Sequence, residues 1–325
     1  MKAMKSSLCL VLCLAVLAAC SGITTIKNTE NKSGAEVHIP DFDNLNSGDE
    51  NQNPDPDQVG PANPTTSTET ISNRAPVVAL ILGPGLNRVA AQISFLRVLE
   101  QKGIKISLIQ GQEMGAVVAA LYAKFQSAER VEWYFYKYFR KNERQDVLSA
   151  DWRNSVEDEI LSSLGKGSCS DISIETFKMG YLLPYYSVKD GRVDYLRRGP
   201  LCPLLLDTLT PYDKNLEASA SFEWGLYNSS ALKKAGADIV IGVDVLGNKL
   251  LFRKENEKIR KFYNKIQMIR NVEKRYVDYF VSLPVDEMPL DGLENLPLVS
   301  KKSLLHSEKV ATEILERLKM WKEKN

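Results

Sequence analysis

The feature that most constrains the fold is a pair of glycines between an apolar strand and an apolar helix. Ile104 to Ile109 has the length and composition of a strand, and it runs into Gly111-Gln112-Glu113-Met114-Gly115. Ala116 to Lys124 then follows as a compact apolar helix. A strand, a tight turn and a helix in this order are typical of an elbow in α/β proteins. The sequence therefore predicts an elbow with Glu113 at its apex.

Alternating strands and helices surround this elbow. Val77 to Leu82 is an unbroken apolar run, and Asp238 to Val243 is a second segment of the kind expected for a buried parallel strand. From about Arg88 to Lys102, apolar residues recur with helical spacing, and Gly103 is placed to end that helix. This pattern predicts an α/β fold with a mainly parallel central sheet.

Further elements are predicted downstream of the elbow. Ser127 to Arg140 and Trp152 to Leu164 have the character of helices, and the second would end at Gly165. The dipeptide Asp190-Gly191 between alternating residues predicts a β-hairpin. Because the turn accounts for Asp190, we expect no catalytic role for it.

Lys254 to Tyr276 is predicted to form an amphipathic helix with one strongly basic face. Its apolar residues recur on the opposite face, at Ile259, Phe262, Ile266 and Ile269. We expect the basic face to be solvated, with contact to a membrane surface as the alternative.

Residues 1–19 combine a basic start with a short apolar run. Lys2 and Lys5 precede an apolar run from Leu8 to Ala19, which is too short for a permanent membrane span. Small residues then lead to Cys20, as in a lipobox, so residues 1–19 resemble a bacterial lipoprotein signal peptide. The resemblance implies cleavage before Cys20 and lipidation of its thiol. An ordinary signal peptide is the alternative. Because Ser21 is not aspartate, the resemblance favours an outer-membrane anchor facing the periplasm.

Residues 20–75 are predicted to form a disordered polar tether, because Asn, Asp, Ser, Thr, Gly and Pro predominate and few residues are apolar. Residues 76–325 then have the length of one large domain with a substantial core.

The net charge and the numbers of histidines and cysteines limit the kinds of site that the chain can form. The net charge of +1 favours no nucleic-acid partner. The chain has 2 histidines, His38 in the tether and His306 in the domain, so we expect neither a histidine triad nor a histidine-rich metal site, and no cofactor. Cys169 and Cys202 remain in an oxidising compartment, where they form either a disulfide or two buried free thiols.

The order of motifs resembles the patatin-like phospholipase family over nearly all of the domain. The family's Gly-rich oxyanion loop corresponds to Pro84, Gly85, Leu86 and Arg88, and its nucleophile elbow to Gly111–Gly115. Further matches are the hairpin at Asp190-Gly191, the segment Gly199–Leu201, the Asp-Gly-Gly-like segment Phe222–Gly225, the strand Gly236–Asp244 and a helix start at Ser307–Ala311. The resemblance implies a three-layer α/β/α sandwich. It also implies acyl hydrolysis by a Ser–Asp dyad.

The residues that would carry this chemistry are replaced. Glu113 stands where the nucleophilic serine is expected, and Glu223 and Trp224 stand at the Asp-Gly positions. Pro84 has no N–H to donate, and Leu86 adds a side chain where the family prefers glycine. Attack by the Glu113 carboxylate on an ester would give an anhydride that the released alkoxide attacks readily, so the forward step is disfavoured.

Other residues offer no obvious replacement nucleophile. Ser94, Ser229 and Ser230 do not lie on an elbow, and we expect structural hydroxyls at all three. If the fold is kept, Glu113 and Glu223 should lie close together, either as a structural acid pair that shares a proton or as ligands of a bound cation.

The sequence thus predicts a non-catalytic patatin-like lipoprotein of the bacterial envelope. Cys20 would anchor it to the membrane, and it would bind a lipid or an envelope protein. The alternative is an active lipid acyl hydrolase of the phospholipase A type, or another hydrolase, that uses the Glu113/Glu223 pair or an unrecognised nucleophile.

Overall fold

A six-stranded sheet forms the centre of the structure, a computed structural model that describes residues 74–142, 150–165, 171–187, 192–209, 226–253 and 257–324. The strands are β1 (Val78–Leu82), β2 (Ile106–Gly111), β3 (Gly180–Ser187), β4 (Arg192–Leu196), β5 (Ile239–Asp244) and β6 (Tyr279–Ser282). Their order is β4-β3-β2-β1-β5-β6. All neighbouring pairs are parallel except β3 and β4. The predicted α/β class with a mainly parallel sheet is confirmed.

Helices connect the strands and pack around the sheet. They are α1 (Ala90–Gln101), α2 (Met114–Phe125), α3 (Ala128–Asn142), α4 (Ala150–Glu159), α5 (Leu201–Thr208), α6 (Ser230–Lys234), α7 (Glu257–Glu273) and α8 (Leu296–Lys324). Short 3-10 helices lie at Leu86–Val89, Leu161–Leu164, Ile174–Thr176 and Lys274–Tyr276. Among the described residues, no helix is both long and apolar enough to cross a bilayer.

Strands β1 and β2 and helix α2 belong to a buried core that extends to apolar residues of α1, α3, α5, α7 and α8. Every residue of β1 is buried, as the unbroken apolar run predicts. Helix α2 is buried from Met114 to Ala123, because alanine and valine let it pack closely against the sheet. It contacts β1, β2 and β3. The elbow between β2 and α2 therefore lies at the carboxyl edge of the central strands.

Three predictions need correction or limits. Trp152–Leu164 is not one α-helix, since α4 ends at Glu159 and the chain continues as a 3-10 turn. Ser307–Ala311 is not a helix start, because α8 already begins at Leu296 and Ser307 is buried within it. Strands β3 and β4 pair as the predicted hairpin requires, while its turn at Asp190-Gly191 lies outside the described residues.

The predicted basic helix is α7, and its apolar face packs inward. Ile259, Phe262 and Ile266 are buried, and Ile269 packs partly buried against the core. The membrane alternative for its outer face stays a prediction.

Candidate functional site

Glu113 occupies a sharp turn between the end of β2 and the start of α2. Its backbone has φ 53° and ψ −128°, a conformation that is costly for a residue with a side chain. Gln112 ties the turn to the neighbouring strand, since its N–H donates to the Leu82 carbonyl at 3.0 Å. The strained backbone projects the Glu113 side chain toward the loop that follows β1.

The two glycines of the elbow are required by close backbone packing. A Cβ on Gly111 would lie 2.2 Å from the carbonyl oxygen of Gly115. A Cβ on Gly115 would lie 2.5 Å from the carbonyl oxygen of Gly83 and 2.7 Å from that of Leu82. All three separations are far below van der Waals contact. The spacing of the pair therefore reflects a helix start pressed against β1, as the elbow pattern predicts.

The Glu113 carboxylate accepts hydrogen bonds from the loop after β1. Its Oε2 accepts the N–H of Gly85 at 2.8 Å and the N–H of Leu86 at 3.0 Å. These neighbouring donors are the pair that the sequence assigns to an oxyanion loop. The carboxylate is thus held where such a loop would bind a developing negative charge.

The altered loop positions Pro84 and Leu86 leave a pair of backbone donors in place. Pro84 lacks an N–H, but the donors are the next two residues. Leu86 keeps φ 48°, in the left-handed region that favours glycine, and its side chain is fully buried. Burial of the leucine side chain offsets part of the backbone cost, and the donor geometry survives the substitution.

Tyr263 binds the other oxygen of the carboxylate. Its hydroxyl donates to Glu113 Oε1 from helix α7, across a sequence separation of 150 residues. The Tyr263 ring is fully buried and packs on Phe252 and Phe262. Sequence reasoning missed this residue, because it reads as one more member of the apolar face of α7.

Glu113 is 3% exposed, and this buried environment alters the acidity of its carboxyl group. Burial raises the pKa of Glu113, while hydrogen bonds from Tyr263 and from the N–H groups of Leu86, Gly85 and Met114 oppose that rise.

The Glu113 side chain also has the shape of an acylated serine. Its carboxyl carbon lies two bonds beyond Cβ, as the ester carbon of an acylated serine would. Glu113 therefore resembles a permanent, uncleavable acyl group in the donor loop.

The raised pKa predicts a specific pH dependence of stability. Between the ordinary value of 4.5 and the raised pKa, the folded state holds a proton that the unfolded state has lost. The stabilising contribution of the protonated Glu113 carboxyl group is therefore complete at pH values below its ordinary pKa. It is lost as the pH rises through the pKa of the folded state. Urea unfolding should show that the free energy of unfolding of wild type, minus that of Glu113→Gln, falls as the pH rises. A flat or rising difference would contradict the prediction.

Arg88 connects the donor loop to distant backbone carbonyls and so fixes its position. It is fully buried, and it donates from Nε to the Met288 carbonyl at 2.6 Å, from one terminal nitrogen to Leu246 and from the other to Lys249 at 2.9 Å. Burial lowers its pKa to about 10, and the nearby carboxylates of Asp286 and Asp244 oppose this shift. Its hydrogen bonds go to backbone carbonyls, so we assign it to positioning of the loop.

A buried ion pair supports the segment after β5, whose carbonyls accept hydrogen bonds from Arg88. Asp244, at the end of β5, accepts from Arg270 at 2.9 Å and from the Ser282 hydroxyl at 2.9 Å. Arg270 also donates to the Gly247 carbonyl at 2.7 Å. Burial raises the pKa of Asp244, and Arg270 opposes the rise. The pair fixes the turn that carries the Leu246 carbonyl.

The remaining predicted site residues are only partly described. Glu223, Trp224, Cys20 and Cys169 lie outside the described residues, so the acid pair and the lipidation stay predictions. Cys202 is disulfide-bonded, but the structure does not describe its predicted partner. Within the described ranges, no cluster of three or more His, Cys, Asp or Glu residues could hold a metal ion.

The three serines considered as replacement nucleophiles lie in or beside helices. The Ser229 hydroxyl donates to the Tyr276 carbonyl, and the Ser230 N–H donates to the Asn228 side chain at the start of α6. Ser94 lies within α1. None of the three lies on the elbow.

Comparison with known proteins gives short sequence matches. A segment of 55 residues is 38% identical to patatin-like phospholipase domain-containing protein 6 of Mus musculus, and the same holds for the Homo sapiens protein. The segment is 17% of this chain and 4% of those relatives' length. No family model matches the chain.

Solved structures give distant likenesses. The type III secretion protein ExoU of Pseudomonas aeruginosa, in complex with SpcU, has 13% identity and a TM-score of 0.40 over 75% of this chain and 53% of ExoU. VipD of Legionella pneumophila has 8% identity and a TM-score of 0.44 over 75% of this chain and 67% of VipD. Both scores are too low to contribute to the assignment. The sequence match supports a relationship between this chain and the patatin-like phospholipases.

Proposed function

We propose that the chain is a non-catalytic patatin-like lipoprotein of the bacterial envelope, which binds a lipid or a protein partner and does not hydrolyse esters. The observation that carries this proposal is the position of the Glu113 carboxylate, whose Oε2 accepts both loop donors at 2.8 and 3.0 Å. A substrate carbonyl would need those donors to stabilise its developing charge. Because the Glu113 carboxylate occupies these two N–H donors, they are unavailable to a substrate carbonyl.

The chemistry of a carboxylate at the elbow points the same way. Attack on an ester would form an anhydride and release an alkoxide, which is the stronger nucleophile and would reverse the step. Glu113 is also buried against Tyr263 and the loop. A substrate would have to displace the carboxylate from hydrogen-bond donors on both of its oxygens. We therefore place lipid or protein binding on the surface of the domain.

The envelope location rests on the N-terminal sequence. A lipobox-like Cys20 after a short apolar run would attach the chain to a membrane through a covalent lipid, with residues 21–75 as a tether. Metabolic labelling with a radioactive fatty acid tests this directly. Label should be incorporated by the wild type and be absent from Cys20→Ala.

One observation favours a second candidate, an active hydrolase. The elbow keeps a strained backbone at Glu113, and the donor loop keeps its left-handed residue Leu86. Strain of this kind often persists at working catalytic sites. An enzyme that uses Glu113 would depend on the charge of its carboxylate.

Hydrolysis of a short-chain nitrophenyl ester separates the two candidates. We expect wild type and Glu113→Gln to show the same rate as buffer, because neither has a nucleophile in reach of the ester. The Glu113→Ser, Glu223→Asp double variant is the matched comparison, since it restores the residue types of the dyad. Turnover by wild type that Glu113→Gln abolishes would contradict the proposal and favour the hydrolase.

A further inference from the structure

The outer face of α3 combines aromatic and basic side chains in one stripe. Trp133, Tyr136, Lys137 and Arg140 follow one another at helical spacing, so they share a face. Trp133 is 55% exposed and Tyr136 is 50% exposed. The opposite face packs into the core through Val131, Phe135, Tyr138 and Phe139. The exposed stripe is therefore not needed to pack the helix against the core.

The aromatic rings of this stripe are arranged together with the cations. The rings of Trp133 and Tyr136 stack with centroids 6.2 Å apart and an interplanar angle of 20°. Lys137 Nζ lies 4.9 Å from the Trp133 ring centre, and the Arg140 guanidinium lies 5.7 Å from that of Tyr136. Flat amphipathic rings beside lysine and arginine are the side chains that proteins place at the level of lipid headgroups.

The charges of α3 complement an anionic surface. Its four basic residues, Arg130, Lys137, Arg140 and Lys141, outnumber the two acids Glu129 and Glu132, and of the basic residues Lys141 is paired with Glu159. Of these acids, Glu132 is paired with Arg97. Among the described residues, neither Lys137 nor Arg140 forms an ion pair with an acid. Both remain available to anionic headgroups next to the exposed rings.

We infer that this face of α3 docks onto the anionic phospholipid surface of the membrane to which the chain is anchored. The inference rests on the proposed lipid anchor at Cys20, and it adds the contact that would orient the domain. A lipid anchor at the far end of a tether keeps the domain near the bilayer without orienting it, and a basic and aromatic surface supplies an orienting contact. The tether would bring the domain to the bilayer, and α3 would hold it there.

Tryptophan quenching in proteoliposomes tests the inference. The full-length mature lipoprotein is reconstituted in vesicles of phosphatidylethanolamine and phosphatidylglycerol, part of it brominated on the acyl chains. Flotation of the protein with the vesicles reports the anchor, and quenching of tryptophan fluorescence reports contact. We expect clear quenching of wild type, which Trp133→Phe removes. Trp321→Phe is the matched control, because it removes a half-buried tryptophan near the C-terminus and should leave the quenching in place.

The charge contribution has its own pair of variants. Lys137→Glu with Arg140→Glu should reduce the quenching severalfold, while Lys322→Glu with Lys324→Glu, at the exposed end of α8, should not. Replacing phosphatidylglycerol by phosphatidylcholine should have the same effect as the first pair.

The outcomes separate the inference from the proposed function. Flotation without quenching, or quenching that Trp133→Phe leaves unchanged, would overturn the docking face and leave the anchor intact. Such a result would favour a protein partner for this stripe. Absence of flotation would contradict the anchor, and the docking inference would fall with it.

Discussion

Replacing Glu113 by alanine is expected to lower the free energy of unfolding by about 3 kcal/mol. The substitution leaves the N–H groups of Gly85 and Leu86 without their acceptor and removes an acceptor from the Tyr263 hydroxyl. Each buried polar group that loses its partner costs about 1–3 kcal/mol. Relief from burying a carboxyl group offsets part of this sum. Urea unfolding followed by far-UV circular dichroism measures the change.

Glu113→Gln is the matched control for this prediction. The amide oxygen can still accept from both loop donors, so we expect a loss of only about 1 kcal/mol. An alanine variant as stable as wild type would show that the carboxyl group does not hold the loop.

Replacing Arg88 by methionine is expected to be at least as damaging, with a loss of about 4 kcal/mol. Methionine fills much of the volume but leaves the carbonyls of Leu246, Lys249 and Met288 without their donor. Arg88→Lys should also lose about 2 kcal/mol, because a single ammonium group cannot reach three divergent acceptors.

Arg97→Lys is the control, since Arg97 pairs with Glu132 at the surface and its replacement should change the free energy of unfolding by less than about 0.5 kcal/mol. Differential scanning calorimetry of the three variants measures the ranking. Equal melting temperatures for Arg88→Met and Arg97→Lys would contradict the assigned role of Arg88.

The elbow could be predicted from sequence because its determinants are local. The apolar run of β2, the glycine pair and the apolar helix lie within one short segment, and the glycines are required by contacts inside and directly behind the turn. Buried parallel strands such as β1 are predictable for the same reason, since burial on both faces selects an unbroken apolar run.

Tyr263 as a partner of Glu113 and the partners of Arg88 could not be predicted from sequence, because they come from distant parts of the chain. Tyr263 lies 150 residues away on a helix whose apolar spacing explains the tyrosine without any role. The carbonyl partners of Arg88 lie 158 to 200 residues away, and any residue type can supply a backbone carbonyl. No side-chain pattern marks such partners.

The start of α8 was missed for a different reason. Pro297 follows Leu296 directly and reads as a residue that interrupts helices, but proline is tolerated in the first turn, where its missing N–H would have no helical partner. The charged stretch after it conceals the periodicity.

Rescue of Glu113→Ala by acetate tests most directly whether the donor loop is intact and filled by the chain's own carboxyl group. Acetate supplies the atoms that the substitution removes, and a ligand that binds only the folded state raises its melting temperature. We predict that sodium acetate raises the melting temperature of Glu113→Ala more than that of wild type or Glu113→Gln, whose donors are already occupied. Sodium chloride at equal ionic strength should not reproduce the difference. Equal responses of the three proteins to acetate would contradict the account.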